Sequence, residues 1–91
     1  MSVVVRIPTQ LRSLTGGASE AKVDGATVGE ALSALEKLHP GVGERLFDEG
    51  GQLRRFVNVF VAEEDVRFLD GLATPLSDGQ TLSIVPAVAG G

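Results

Sequence analysis

The sequence predicts an α+β fold in which a small mixed sheet is crossed by one main helix. Three observations carry that expectation. Apolar residues alternate strictly in segments spread from one end of the chain to the other, one stripe of helical period lies between them, and turn signals join the flanking segments into hairpins. A chain of 91 residues makes one domain with one small core. That domain is expected over residues 1–86, with a flexible Gly-Gly tail at 87–91.

Ser2 to Pro8 alternates, with Val3, Val5 and Ile7 on one face and Val4 and Arg6 on the other. It reads as a strand whose pairing ends at Pro8, which has no N–H to give. Leu11 and Leu14 follow in a looser segment closed by Thr15-Gly16-Gly17, and Ser19 to Val23 resumes the alternation to complete an N-terminal hairpin. Thr27-Val28-Gly29-Glu30 is a capping box: the Thr27 hydroxyl accepts from the Glu30 amide while the Glu30 carboxylate reaches back. Val28, Ala31, Leu32, Leu35 and Leu38 then recur at helical spacing, and their stripe must cover a sheet. His39-Pro40-Gly41 stops the helix, because the residue before a proline disfavours the helical region.

Gly41 to Leu53 reads as irregular, anchored by Leu46 and Phe47 and bent at Gly50-Gly51. Arg54 to Ala62 is the strongest strand signal, with Val57, Val59 and Val61 inward and Phe56, Asn58 and Phe60 outward. Glu63-Glu64-Asp65 is a polar turn and Val66-Arg67-Phe68 a short return strand. Asp70-Gly71 turns again, Leu72 and Leu76 bracket a short segment with Pro75, and Ser77-Asp78-Gly79-Gln80 turns into a last strand at Thr81 to Val85, with Leu82 and Ile84 on one face. Two hairpin-like halves around a helix fit the β-grasp, ubiquitin-like architecture, in which the last strand lies parallel beside the first.

Composition excludes most chemistry. Zero cysteines remove disulfides, thiolate zinc sites and cysteine nucleophiles. The single histidine, His39, reads as a surface ring near a helix C-terminus. Glu63, Glu64 and Asp65 read as a solvated hairpin tip rather than a metal site, and the glycine pairs at 16–17 and 50–51 lack the Lys and Ser/Thr of a phosphate loop. A net charge of −4 opposes nucleic acid binding. No apolar run approaches the roughly 18 residues of a membrane span. Met1 to Pro8 alternates and carries Arg6, unlike the apolar core of a signal peptide. The expectation is a cytoplasmic protein with no catalytic residue of its own, no metal and no bound cofactor, and neither nucleic acid nor membrane as partner.

The exception is the end of the chain, Pro86-Ala87-Val88-Ala89-Gly90-Gly91, which follows directly from a core strand and bears no charged side chain. A C-terminal carboxylate is an anion at pH 7 and a poor electrophile; ATP converts it to a reactive acyl-adenylate. Glycine has no Cβ, so Gly90 and Gly91 can thread where other residues would clash. Five residue steps from Pro86 reach at most about 17–18 Å, enough to cross from a globular body into a buried site.

Leu76-Ser77-Asp78-Gly79-Gln80-Thr81-Leu82-Ser83-Ile84-Val85-Pro86-Ala87-Val88-Ala89-Gly90-Gly91 resembles the C-terminal pattern of the ThiS/MoaD sulfur carriers: a leucine, an Asp-Gly turn, a strand, then Pro-x-Val-x-Gly-Gly. Arg55-Phe56-Val57-Asn58, Glu64-Asp65-Val66-Arg67-Phe68 and Gly71-Leu72-Ala73-Thr74 are similar to the CysO subgroup of that family. Gln80 departs from the acidic residue usual at the turn. The resemblance implies that an E1-like adenylyltransferase, with or without a rhodanese domain, uses ATP to activate Gly91. It implies further that sulfur replaces AMP to leave a thiocarboxylate, which an acceptor synthase then consumes. In the CysO subgroup the acceptor is a cysteine synthase, followed by a C-terminal peptidase; related carriers serve thiamin, molybdopterin and thiosugar synthesis. Ala87, Val88, Ala89, Gly90 and Gly91 would thread into partner active sites, and Phe56 and Phe60 are the candidate partner surface unless residues 41–53 cover them. Two other roles use the same end differently: a ubiquitin-like modifier that forms isopeptide bonds through Gly91, and a binding subunit with an inert tail.

Overall fold

A computed structural model of the protein describes residues 2–54 and 57–86. In chain order these form β1 (Ser2–Arg6), a 3-10 turn (Thr9–Thr15), β2 (Glu20–Asp24), α1 (Val28–Leu38), α2 (Val42–Leu46), β3 (Val57–Val61), β4 (Glu64–Asp65), 3-10 turns at Val66–Phe68 and Gly71–Ala73, and β5 (Thr81–Pro86). The five strands make one sheet in the order β2-β1-β5-β3-β4. β1 pairs antiparallel with β2, placing Val3 opposite Val23, and parallel with β5, placing Val5 opposite Leu82. β5 pairs antiparallel with β3 along its length. The expected β-grasp topology, with first and last strands parallel at its centre, is the observed one.

The alternation in each strand decides which face is buried. Val3, Val5, Ile7, Val23, Val57, Val59, Val61, Leu82 and Ile84 all lie inward and join Val28, Ala31, Leu32 and Leu35 of α1 in one core. The helix begins as its capping box requires: Thr27 Oγ1 accepts from the Glu30 N–H at 3.2 Å. The Glu30 carboxylate reaches one residue further back than the motif predicts, accepting from the Ala26 N–H at 3.0 Å. Another N-terminal donor, the Val28 N–H, is satisfied by the Thr74 carbonyl at 3.0 Å, so the segment leading to β5 closes the helix end. Gly25 lets β2 turn into α1 at close quarters, since a Cβ there would lie 2.6 Å from the Ala31 nitrogen.

Leu38 does not belong to the buried stripe; it is 58% exposed. The chain reverses at Gly41, whose φ of 106° suits glycine, and enters α2, which seats Val42 and Leu46 in the core instead. Residues 41–53 are therefore not wholly irregular. The return strand also shifts. Ala62 and Glu63, with φ of 51° and 71°, make a two-residue hairpin loop, so pairing resumes at Glu64 and not at Val66. Asp65 then ends the strand by capping the 3-10 turn at Val66–Phe68, accepting from the Arg67 N–H at 2.8 Å. β1 ends at Arg6 and β5 extends to Pro86, each within two residues of expectation. Arg54 lies outside β3, and Arg55 and Phe56 of the expected strand lie outside the described residues. Among the described residues no helix is long and apolar enough to cross a membrane.

Candidate functional site

The site is built around β5, and the turn before it sets the strand's start. Gly79, at φ 81°, allows the turn. Its N–H donates to the Ser2 carbonyl at 2.6 Å, while the Ser2 N–H donates to Asp78 Oδ1 at 2.8 Å and the Val4 N–H to the Gln80 carbonyl at 2.9 Å. The first residues of the chain are thereby locked to the launch point of its last strand. Gln80, the departure from the usual acidic residue, closes the turn with its side chain: Oε1 accepts from the Ser77 N–H at 2.9 Å.

From there β5 runs between β1 and β3, with Leu82 and Ile84 buried and Thr81, Ser83 and Val85 on the opposite face. Its ladder with β3 pairs Phe60 with Ser83, Asn58 with Val85 and Val57 with Pro86. That last pair is a non-hydrogen-bonded one, since the Val57 N–H donates to the Arg54 carbonyl instead. The expected threading residues Ala87, Val88, Ala89, Gly90 and the reactive Gly91 lie outside the described residues, as does Phe56.

Phe60 is half-buried on the outer sheet face, where it lines an open groove with Arg6, Glu63, Thr81, Ser83 and Val85. Val85 is 45% exposed. This groove is bordered by β1, β3, β5 and the Ala62-Glu63 loop, and residues 41–53 do not line it. They instead line a second open groove, with α1, on the helical side. Of the two arrangements the sequence allowed for Phe60, the one facing away from the 41–53 segment is observed.

Two residues of the 3-10 turn packed on β3 were not singled out from the sequence. Phe68 is 85% exposed, because a 3-10 turn rather than a strand carries it. The signal available was Asp65, a favoured N-cap residue immediately before Val66. Arg67 crosses from that turn to β3: Nη1 donates to Asn58 Oδ1 at 2.6 Å and Nη2 to the Arg54 carbonyl at 2.8 Å. No local pattern announces this contact, since its partners lie 9 and 13 residues away in the chain.

A β-grasp body whose central strand leads to a Gly-Gly sequence is the build of a ubiquitin-like carrier. The chain belongs to the ThiS family, whose profile matches residues 5–91. It is 50% identical over 93 residues to the sulfur carrier protein CysO of Mycobacterium tuberculosis, covering 100% of both chains. A chain in the crystal structure of the BexX/CysO complex of Amycolatopsis orientalis superimposes with a TM-score of 0.91 at 50% identity, over 98% of this chain and 99% of that one. Small archaeal modifier protein 3 of Haloferax volcanii is 44% identical over 68 residues, 75% of this chain and 73% of its own.

Proposed function

We propose that this chain carries sulfur on the C-terminal carboxyl of Gly91, and that it does so as a substrate for other enzymes rather than as a catalyst. The observation that carries the proposal is the position of β5. A strand paired on both sides leads, through Pro86, into Gly90-Gly91 in a chain alike to CysO sulfur carriers along its whole length.

The chemistry follows from the carboxylate. One of its oxygens attacks the α-phosphorus of ATP in an E1-like adenylyltransferase, and pyrophosphate leaves. Sulfide attacks the acyl carbon and AMP departs; where a rhodanese persulfide is the donor, its terminal sulfur displaces AMP to give an acyl disulfide, and a second thiol of the donor enzyme cleaves the S–S bond, becoming oxidised to a disulfide as the thiocarboxylate is released. The product is a thiocarboxylate, whose soft anionic sulfur attacks an electrophilic carbon bound to an acceptor synthase. Adenylation and acceptor sites alike must admit residues 87–91, and small side chains suit a narrow channel. Cytoplasmic work, ATP held by the activating enzyme alone, and a peptidase acting after cysteine formation belong to the same proposal.

The test is ATP-dependent loading by the cognate activating enzyme, read by intact mass as one sulfur in place of one oxygen. Deleting Gly91 shortens the reach by about 3.3–3.6 Å, where even about 1 Å of misplacement can cost 10²-fold. Gly90→Val places a β-branched side chain in the channel. Neither variant alters the core, so unfolding free energies should stay within about 0.5 kcal/mol of wild type, while loading is lost. Normal loading of both would overturn the role of the tail. A modifier role, which the likeness to small archaeal modifier protein 3 favours, would appear instead as covalent adducts of protein mass on lysines.

A further inference from the structure

We infer that Arg67 is a positioning residue for loading: it straps the start of β3, the segment against which the last residues of β5 are laid, and so fixes where and in what direction the chain leaves the sheet. This rests on the carrier role proposed above. The last rung of the β3–β5 ladder pairs Val57 with Pro86. That pair is a non-hydrogen-bonded one: the Val57 N–H turns away from β5 and donates to the Arg54 carbonyl at 3.0 Å, so the last backbone bonds between the two strands belong to the Asn58–Val85 pair. Backbone hydrogen bonding therefore holds the exit of β5 less firmly than its middle.

Arg67 supplies the missing restraint. Its planar fork spans the segment opposite the exit, with Nη1 on Asn58 Oδ1 at 2.6 Å and Nη2 on the Arg54 carbonyl at 2.8 Å. Asn58 faces Val85, one residue before Pro86, and the Arg54 carbonyl is also the acceptor for Val57. Both bonds are charge-assisted and short. Arg54 is tied in turn to α2 through Nε and the Glu44 carbonyl at 2.8 Å. The base of the strap is itself rigid: Val66 is fully buried, the Arg67 N–H is held by Asp65 Oδ1, and the Leu69 N–H closes on the Val66 carbonyl at 2.9 Å. A lysine at this position presents its three N–H groups from one nitrogen and lacks the planar fork whose two nitrogens meet the two acceptors separately.

The experiment compares wild type, Arg67→Ala, Arg67→Lys and Asn58→Ala as full-length chains. Steady-state pyrophosphate release with the activating enzyme, ATP and sulfide is measured against carrier concentration, and amide exchange is measured in each free carrier. Loosening the exit misplaces the end while leaving the Phe60 groove, which neither Arg67 nor Asn58 lines, so Arg67→Ala should lower kcat by about tenfold or more with KM within about twofold. Arg67→Lys should not restore kcat, and Asn58→Ala should lose part of it. The Val57 amide should exchange about tenfold faster in Arg67→Ala, with Val59 unchanged. A raised KM with kcat intact, full rescue by lysine, or unchanged Val57 exchange would each overturn the strap. Should Arg67→Ala fail to fold, the lysine and Asn58→Ala variants carry the same comparison. Should wild type release no pyrophosphate, the carrier role fails by itself, and Val57 exchange alone decides the strap.

Discussion

Leu35→Ala and Leu38→Ala are the same chemical change three residues apart on α1, and the structure predicts very different costs. Leu35 is 0% exposed within the core, whereas Leu38 is 58% exposed. Truncating a buried leucine removes about three carbons, worth roughly 2.4 kcal/mol at about 0.8 kcal/mol per buried CH2. The unfilled space raises the total to about 2–5 kcal/mol. At Leu38 only about two-fifths of that transfer applies and no enclosed cavity forms, so the cost is about 1 kcal/mol or less. In a domain of this size each kcal/mol moves the melting temperature by about 4–8 °C; Leu35→Ala should melt at least roughly 10 °C below wild type and Leu38→Ala within about 8 °C. Urea unfolding at constant m-value gives the free energies directly. Equal costs for the two variants would refute the placement of the helix, and with it the reversal at Gly41 that puts Val42 and Leu46 where the period predicts Leu38.

Glu63→Gly should stabilise the fold. Glu63 sits at φ 71°, where a side chain costs about 1–2 kcal/mol and the added freedom of glycine in the unfolded chain offsets roughly 0.4–1 kcal/mol. A rise in the urea midpoint worth about 0.5–1 kcal/mol is expected, and a fall would mean the loop is not the left-handed pair described. Phe60→Ala should leave cooperative unfolding in place but slow loading or transfer about tenfold or more, as loss of an aromatic interface anchor does. Wild-type rates with both the activating and the acceptor enzyme would remove the outer face from the functional account.

Much of this fold is legible because β-branched alternation reports the buried face directly. Val3, Val5, Val57, Val59, Val61, Leu82 and Ile84 are inward as their spacing demands. Thr27 and Glu30 mark the helix start because the cap is a local bond between residues three apart. What escapes the sequence is decided by contacts between distant segments. The helical period runs on through Leu38 because it cannot register that the chain turns back at Gly41. α2 spans five residues, too few for a stripe to repeat. Val66-Arg67-Phe68 has the apolar-polar-apolar order of a strand, but three residues do not distinguish a strand from a capped turn. Ala62 and Glu63 carry none of the usual marks of a positive-φ hairpin loop, so the early resumption of pairing was hidden. The role proposed for Gly91 rests on the sequence and needs no fold; the contacts of Arg67 could not be found that way, because they exist only once β3 and the following turn are side by side.

The placement of β5 reconciles two demands that a carrier makes on its own structure. The end must be free enough to enter another protein, yet the body must stay folded while that end is held. An edge strand would serve poorly, because a partner could peel it away along one ladder. β5 is paired with β1 on one side and β3 on the other, and Leu82 and Ile84 bury its inner face. Removing it therefore breaks two ladders and the core together. The bond from the Ser2 N–H to Asp78 spans 76 residues, so the strand is fixed only when the two ends of the domain have met. On the proposed function, an activating enzyme that read the outer sheet face around Phe60 would select folded chains before engaging Gly91. On that proposal recognition and reaction separate at Pro86, the surface belonging to the sheet and the carboxyl to the sequence beyond it.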